Sequence, residues 1–127
     1  MFDSGITFFY TEDLEKTTEF YTQVLQLPLA LDQGGCRIFR INEGSFLGFC
    51  QRYVGSTTSS IITFVTDDVE AWAERLQSLG IKLEKPPTYN PDFRILHFFF
   101  KDPSGYLIEI QRFDDPDWKG LFCKDDR

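Results

Sequence analysis

The sequence predicts an α+β fold made of two βαβββ modules within 127 residues. One observation is the order of elements: a strand-like segment, a helix-like segment and three more strand-like segments occur in that order twice. Another is that the sequences of the two halves align residue by residue. A shift that places Ile6 on Ile61 also places Asp13 on Asp68, and a slightly longer shift places Gly44 on Gly105. A repeated element order of this kind indicates a duplicated structural unit.

The first module begins with the β-branched and aromatic run Ile6–Tyr10, which predicts a strand. Asp13 is typical of a helix start, and apolar residues recur behind it at helical spacing as far as Leu25. Three further strands are predicted between turns that are rich in Gly and Asn. They are Leu29–Leu31, Arg37–Ile41 and Ser45–Gln51.

The second module repeats the pattern, with a strand at Ile61–Val65 and a helix that starts after Asp68 and stops at Gly80. A short strand is expected at Ile81–Leu83, and the segment 85–91 is expected to be a loop because it contains two prolines. The remaining predicted strands, Arg94–Lys101 and Tyr106–Gln111, flank a turn at Asp102–Gly105, in which Pro presets φ and Gly supplies a positive φ.

These elements predict a single domain over residues 1–127. Its parts are a first module over 4–52, a linker over 53–59, a second module over 60–113 and a C-terminal tail over 114–127. The tail mixes acidic residues with Trp118, so it is expected to cover a pocket, join a subunit interface or remain solvated.

Composition limits the classes of function. The chain has 13 Lys and Arg against 20 Asp and Glu, a formal charge of −7, so a phosphate-binding face for nucleic acid is not expected. No apolar run is long enough to cross a membrane, and the start MFDSGITFFY lacks the basic region of a signal peptide, which predicts a cytoplasmic location. Cys36, Cys50 and Cys123 show no CxxC spacing and are expected to be free thiols in a reducing compartment.

The layout resembles the vicinal oxygen chelate superfamily, which includes glyoxalases, extradiol dioxygenases and bleomycin-binding proteins. The resemblance rests on Asp13-Leu14 followed by Phe20-Tyr21, on Phe64–Val69, and on the ending Lys101–Ile110, which contains Asp-Pro-Ser-Gly-Tyr-Leu-Ile-Glu-Ile. One departure is Gln26, where the family usually has Gly. The resemblance implies that the two modules form a cupped mixed sheet around a site, as in the glyoxalase, bleomycin resistance and dihydroxybiphenyl dioxygenase fold.

The resemblance also implies four equivalent metal-ligand positions, which fall on Ile6, Gly48, Ile61 and Glu109. Only Glu109 can bind a cation, whereas divalent ions need several nitrogen or oxygen ligands. We therefore expect no metal and no other cofactor. Glyoxalase or dioxygenase chemistry would require displaced ligands from His97, Glu109, Gln111 or Cys50.

Glu109 and His97 are the candidate catalytic residues. Glu109 lies in an apolar run, where a carboxylate must be paired, solvated or protonated, and His97 is the one histidine of the chain. A four-residue turn at Asp102–Gly105 would pair His97 with Ile110 and direct it away from Glu109, toward the helices. A change of one residue in turn length would reverse that and bring the two together.

Family geometry places alternate residues of the first, fourth, fifth and eighth strands in the cup, where they would bind a ligand. These predicted ligand-binding residues are Phe8, Tyr10, Phe46, Cys50, Thr63, Leu107, Glu109 and Gln111. The alternate set is expected to pack against the helices as core: Thr7, Phe9, Ile62, Phe64, Ile108 and Ile110.

The leading functional hypothesis is a metal-independent protein that binds a small cationic or aromatic molecule in an apolar cup and sequesters a drug or metabolite. One alternative is a metal-dependent lyase or dioxygenase with displaced ligands. Another is a cup packed shut, with function only through a dimer or protein partner. A homodimer is expected because each sheet presents unpaired strand edges.

Overall fold

The computed structural model describes residues 4–53 and 60–117, and these contain eight strands and two α-helices. The first module consists of β1 (Gly5–Thr11), α1 (Leu14–Glu19), β2 (Leu29–Asp32), β3 (Cys36–Asn42) and β4 (Ser45–Gln51). The second consists of β5 (Ile61–Val65), α2 (Val69–Ser78), β6 (Leu83–Asn90), β7 (Ile95–Lys101) and β8 (Leu107–Phe113). No helix among these residues has the length and apolar character needed to cross a membrane.

Each module forms its own four-stranded mixed sheet, and this confirms the predicted α+β class. The order is β1-β4-β3-β2 in the first sheet and β5-β8-β7-β6 in the second. In both sheets the first and last strands of the module run parallel, and the other neighbours are antiparallel. The two modules therefore share one topology, as their sequence repeat predicts.

Two compact units account for the described residues. The first comprises residues 4–53 together with Asp102–Gly105, and the second comprises residues 60–101 and 106–117. The predicted linker lies outside the described residues except for Tyr53, and so do Trp118 and the rest of the tail after residue 117. The predicted domain boundaries therefore stay a prediction.

The helix of the first unit is short because its end is a π-helical turn. Asp13 caps α1 by accepting a hydrogen bond from the backbone N–H of Lys16 at 3.0 Å. The π-helical turn Phe20–Val24 follows, and Gln26 then adopts φ +62°, a left-handed conformation at which Gly is common after a helix. The departure from the family pattern at Gln26 therefore falls at a strained backbone position.

The core of the first unit is aromatic. Tyr21 and Phe49 have ring centroids 4.7 Å apart, and Phe39 packs beside both; all three side chains are fully buried. In the second unit, one face of α2 is buried through Val69 and Leu76. Strands β7 and β8 contribute the buried side chains of Phe98, Phe100, Ile108 and Ile110. Of the predicted core set, Thr7 is exposed, and Phe9 and Phe64 are half-buried.

The loop between β7 and β8 belongs to the first unit. The Tyr21 hydroxyl donates a hydrogen bond to Oδ2 of the buried Asp102 at 2.9 Å, and the hydroxyls of Thr11 and Ser104 lie 2.7 Å apart. Within the loop, Ser104 N donates to Oδ1 of Asp102, and Gly105 adopts φ +91°, as predicted. These contacts hold the turn at Asp102 and at Ser104.

The segment 85–91, predicted to be a loop, is a strand as far as Asn90. Pro86 and Pro87 lie within β6, at the edge of the second sheet, where a missing N–H donor can face solvent. The pairing register of β6 with β7 shifts between Leu83 and Lys85 and again between Lys85 and Thr88. These irregularities accommodate the prolines, and the sequence argument was wrong because it did not consider an edge strand.

Cys36 and Cys50 are not free thiols, because they form a disulfide. The two residues are direct partners on the antiparallel strands β3 and β4, with Cα atoms 4.0 Å apart. The expectation of three free thiols considered sequence spacing alone, whereas sheet pairing brings these two sulfurs together. Cys123 lies outside the described residues.

Replacing Tyr21 with Phe is expected to lower the free energy of unfolding by about 1–3 kcal/mol, because it removes a hydrogen bond from a buried carboxylate. Urea unfolding of the two proteins measures the difference. Tyr53→Phe is the matched control, because Tyr53 is 81% exposed. Equal unfolding midpoints for Y21F and the wild type would show that the Tyr21–Asp102 contact is not formed.

Alkylation of the unfolded, unreduced protein is expected to modify one cysteine, and alkylation after reduction is expected to modify three. Intact-mass spectrometry counts the added groups. Since the disulfide joins residues 14 apart in sequence, its reduction is expected to lower the free energy of unfolding by about 3 kcal/mol. Three modified cysteines without reductant would contradict the disulfide.

Candidate functional site

The register of β7 with β8 decides where His97 lies. Lys101 pairs with Leu107, so the connecting loop includes Tyr106 and is one residue longer than the four-residue turn considered above. His97 then pairs with Gln111, and Phe99 pairs with Glu109. Because partners across a sheet share a face, His97 and Glu109 lie on the same side. Of the two alternatives that the sequence left open, the structure has the longer turn, so His97 faces Glu109 and not the helices.

A hydrogen-bonded chain of three side chains results. His97 Nδ1 lies 2.6 Å from Oε2 of Glu109, and the Thr63 hydroxyl donates to Oε1 of the same carboxylate at 3.0 Å. The side chains of His97 and Glu109 are only 10% and 12% exposed. A carboxylate in such a place needs partners for both oxygens, and this one has them. Thr63, predicted as a ligand residue, acts here as a partner of Glu109.

The second ring nitrogen of His97 is left without a partner. In the tautomer in which Nδ1–H donates its hydrogen bond to the Glu109 carboxylate, Nε2 carries no hydrogen and is an acceptor. Among the described residues no hydrogen bond reaches Nε2. Nor is Nε2 sealed from solvent. Among the described residues, the one fully buried side-chain nitrogen or oxygen without a hydrogen-bond partner is Nε of Arg37.

Gln111 stands directly opposite His97 and is 8% exposed. Its side-chain amide makes no hydrogen bond within residues 4–53 and 60–117. The amide is also not among the fully buried polar atoms without a partner, so solvent can still reach it. An amide that is nearly buried, unpaired and still reachable is a polar group available to a ligand. Gln111 was one of the predicted ligand-binding residues.

Apolar side chains surround this polar group. Phe99, with its ring centroid 5.1 Å from that of His97, lies opposite Glu109, while Leu107 and Val65 occupy neighbouring positions on the same face. Phe99 was missed as a site residue. Its position two residues after His97 was the available signal, because residues two apart on a strand share a face.

The first sheet presents a different surface at the corresponding positions. The Phe8 side chain, 50% exposed in the chain, covers Gly48: a Cβ added at Gly48 would lie 2.5 Å from two atoms of its ring. The guanidinium of Arg52 lies 4.7 Å from the ring centroid of Tyr10, and that of Arg40 lies 4.8 Å from the centroid of Phe46.

The predicted ligand residues of the first sheet therefore already have partners. One face of the Tyr10 ring is covered by Arg52, and one face of the Phe46 ring is covered by Arg40. Cys50 has no free thiolate to offer a ligand or a metal, because its sulfur is bonded to Cys36.

The residues at the four family metal positions do not fit a divalent ion. Ile6 and Ile61 have aliphatic side chains, Gly48 has none and is covered by Phe8, and the oxygens of Glu109 are engaged by Thr63 and His97. No group of three or more His, Cys, Asp or Glu suited to a metal occurs among the described residues. Metal binding needs several donors at fixed geometry, and this donor set supplies one.

Comparison with known proteins defines the class. The sequence model of the Glyoxalase/Bleomycin resistance protein/Dioxygenase superfamily matches residues 5–110. The chain belongs to this superfamily, as its sequence motifs indicated. No match is found among curated protein sequences.

Solved structures show the same fold at low sequence identity. Lactoylglutathione lyase from Agrobacterium tumefaciens is 22% identical with a TM-score of 0.72, over 84% of this chain and 90% of that one. A glyoxalase/bleomycin resistance protein/dioxygenase from Nocardioides is 20% identical with a TM-score of 0.74, over 91% and 85%. A glyoxalase-related enzyme from Fulvimarina pelagi is 19% identical with a TM-score of 0.71, over 85% and 86%.

Protein purified without chelator is expected to contain no near-stoichiometric divalent metal, because the four family positions supply one donor. Elemental mass spectrometry gives the metal-to-protein ratio. Thermal unfolding with added nickel, zinc, manganese or iron(II) is expected to be unchanged. A ratio near one, or strong stabilisation by one ion, would contradict this and point to His97 and Glu109 as displaced ligands.

Proposed function

We propose that the protein binds, without a metal, a small neutral organic molecule on the face of the second sheet that carries His97, Glu109 and Gln111. The observation that carries the proposal is the hydrogen-bonded chain Thr63–Glu109–His97. It leaves Nε2 of His97 and the amide of Gln111 as the polar atoms free to meet a ligand.

The ligand's chemistry follows from these atoms. Nε2 accepts a hydrogen bond, so the ligand carries an O–H or N–H donor. Phe99, Leu107 and Val65 offer apolar contacts, so the rest of the ligand is aromatic or aliphatic. A sequestering role for a drug or metabolite is compatible with such a site, because sequestration requires binding and no chemical step.

A cationic ligand is less well supported than the sequence alone suggested. Glu109 is the one carboxylate of this group, and each of its oxygens already accepts a hydrogen bond from a neighbour. A bound cation would compete with His97 and Thr63 for that carboxylate. A neutral hydrogen-bond donor at Nε2 leaves the chain of three intact.

Two further expectations belong with this proposal. A homodimer is proposed from the open edges of both sheets, where β1, β2, β5 and β6 lie. Sedimentation equilibrium measures the oligomeric state.

A cytoplasmic location also remains a proposal, and the Cys36–Cys50 disulfide argues against it, since such bonds are rare in reducing compartments.

The binding proposal is tested with 2-naphthol, which combines an aromatic body with one hydroxyl donor. Ligand-observed NMR titration is expected to give about tenfold tighter binding for 2-naphthol than for 2-methylnaphthalene, the loss expected for one hydrogen bond. His97→Gln is expected to remove this preference. Glu84→Gln is the matched control, because Glu84 lies on the same sheet and pairs only loosely with Lys101, at 3.9 Å.

Benzyltrimethylammonium tests the cationic alternative in the same titration. Tighter binding of this cation than of 2-naphthol, lost in Glu109→Gln and kept in Glu84→Gln, would overturn the neutral-ligand proposal. Failure of all three probes to bind would overturn small-molecule binding at this face.

A further inference from the structure

We propose that the Cys36–Cys50 disulfide is a reversible thiol-exchange site, which small neutral or cationic thiols open by attack on the sulfur of Cys36. The site lies in the first sheet and does not depend on the ligand binding proposed for the second. Both cysteines are half-buried and not enclosed in the core, so the bond lies within reach of a small reagent in the folded protein.

Strand pairing obstructs attack on the sulfur of Cys50. A thiolate approaches a disulfide sulfur in line with the bond that breaks, from the side opposite the leaving sulfur. Cys50 lies on the inner strand β4, with Cys36 as its partner on one side and Tyr10 of β1 on the other. The guanidinium of Arg52 covers the Tyr10 ring at 4.7 Å from its centroid. A thiol that attacked Cys50 would therefore have to pass through the place of the Tyr10 side chain.

The opposite approach, toward Cys36, is open. The pairing of β2 with β3 ends at Asp32 and Arg37, so Cys36 lies beyond the end of that ladder. The turn 33–35 takes the place of a strand at this point, and two of its three residues are glycines. A Cβ added at either glycine would meet no atom within 4 Å, which shows that the space around the turn is empty of protein. Exchange is therefore directed to Cys36, with the sulfur of Cys50 as the leaving group.

The reaction balances with two molecules of thiol. The first thiolate forms a bond to Sγ of Cys36, the bond between the two Sγ atoms breaks, and its electron pair leaves on Sγ of Cys50, which takes a proton from water. The second thiolate bonds to the sulfur of the attached thiol, and the electron pair of that mixed disulfide returns to Sγ of Cys36. The two cysteines gain two electrons, and the two small thiols are oxidised to their own disulfide.

Charges beside the turn determine the class of thiol. Asp32 accepts a hydrogen bond from the backbone N–H of Gly34 at 2.9 Å, and this bond lowers the pKa of its carboxyl, so the group is ionised at neutral pH. Its other oxygen lies 3.4 Å from Nε of Arg37, and the same guanidinium also pairs with Glu15. Two carboxylates thus share one guanidinium, and the excess negative charge attracts a cationic thiol and repels an anionic one.

Opening of the bond releases the β2–β3 hairpin from β4. All four residues of β2 are exposed, and its register with β3 is interrupted between Leu29 and Leu31. An edge strand of this kind buries little surface that would hold it in place. The disulfide is the covalent link between the start of β3 and the inner strand. Its reduction is therefore expected to increase local opening over residues 29–37.

Mapping of the mixed disulfide tests which sulfur is attacked. Folded, oxidised Cys123→Ser protein is mixed with cysteamine, quenched with acid, alkylated at low pH and digested for mass spectrometry. At early times the cysteamine adduct is expected on Cys36 and the alkyl group on Cys50, in about tenfold excess over the reverse. Adducts that are equal, or mainly on Cys50, would overturn the assignment. A bond that reacts only after unfolding in urea would overturn the exchange site itself.

Two single-cysteine proteins remove the reverse reaction. Cys50→Ser and Cys36→Ser, each combined with Cys123→Ser, leave one thiol, which is treated with the disulfide cystamine. Cys36 is expected to be modified about tenfold faster than Cys50, because only its approach is open. Comparable rates would contradict the open approach to Cys36. The mapping of the oxidised protein gives the same comparison without either substitution.

Comparison of cysteamine with 2-mercaptoethanesulfonate tests the class of thiol, with each rate divided by that for the neutral disulfide of 2-mercaptoethanol. Cysteamine is expected to open the bond about threefold faster at low salt. Asp32→Asn is expected to abolish the difference, because it removes the excess charge and keeps an oxygen for the N–H of Gly34. A sulfonate that reacts as fast as cysteamine, or faster, would overturn the preference.

Hydrogen exchange followed by mass spectrometry tests the structural effect of opening. After reduction, amides within residues 29–37 are expected to exchange about tenfold faster, whereas those of β7 and β8 keep their rates. No change over residues 29–37, or an equal acceleration in every strand, would overturn the local opening of the hairpin.

Discussion

The register between β7 and β8 is the constraint on which the rest of the second unit depends. Side chains alternate along a strand, so a slip of one residue would exchange the core face with the outer face. The observed register places Phe98 and Phe100 in the core and turns His97 and Phe99 to the face of Glu109. The loop that sets it is held at Asp102 by Tyr21 and at Ser104 by Thr11. These are contacts within the first unit, to which the turn between β7 and β8 belongs.

The two sheets share a topology but have diverged at corresponding positions. Gly48 in the first sheet is covered by the ring of Phe8, whereas Glu109 in the second is held by two hydrogen bonds. Both solutions satisfy the same physical requirement. A position at the middle of a strand must be filled by apolar contact or by a polar group whose partners are present. The second sheet has the polar arrangement at this position, and Nε2 of His97 and the Gln111 amide beside it have no hydrogen-bond partner among the described residues.

Membership of the superfamily does not by itself establish metal chemistry in this chain. The fold supplies equivalent positions in two modules, but chemistry depends on the side chains that occupy them. Here both oxygens of Glu109 are hydrogen-bonded, one to Thr63 and the other to His97. A carboxylate with both oxygens engaged holds its neighbour in place more readily than it captures an ion.

The sequence by itself determined the module repeat, the strand and helix order, and the family. These follow from local patterns: apolar periodicity, the Asp that begins each helix, and the Asp-Pro-Ser-Gly turn. It also placed Glu109 and Gln111 on one strand face, because alternation along a single strand requires no partner. Only the tertiary structure decided the face of His97, the bond between Cys36 and Cys50, and the strand that contains Pro86. Each of these depends on which strand lies alongside and in which register, and such non-local pairing leaves no signal in the spacing of one segment.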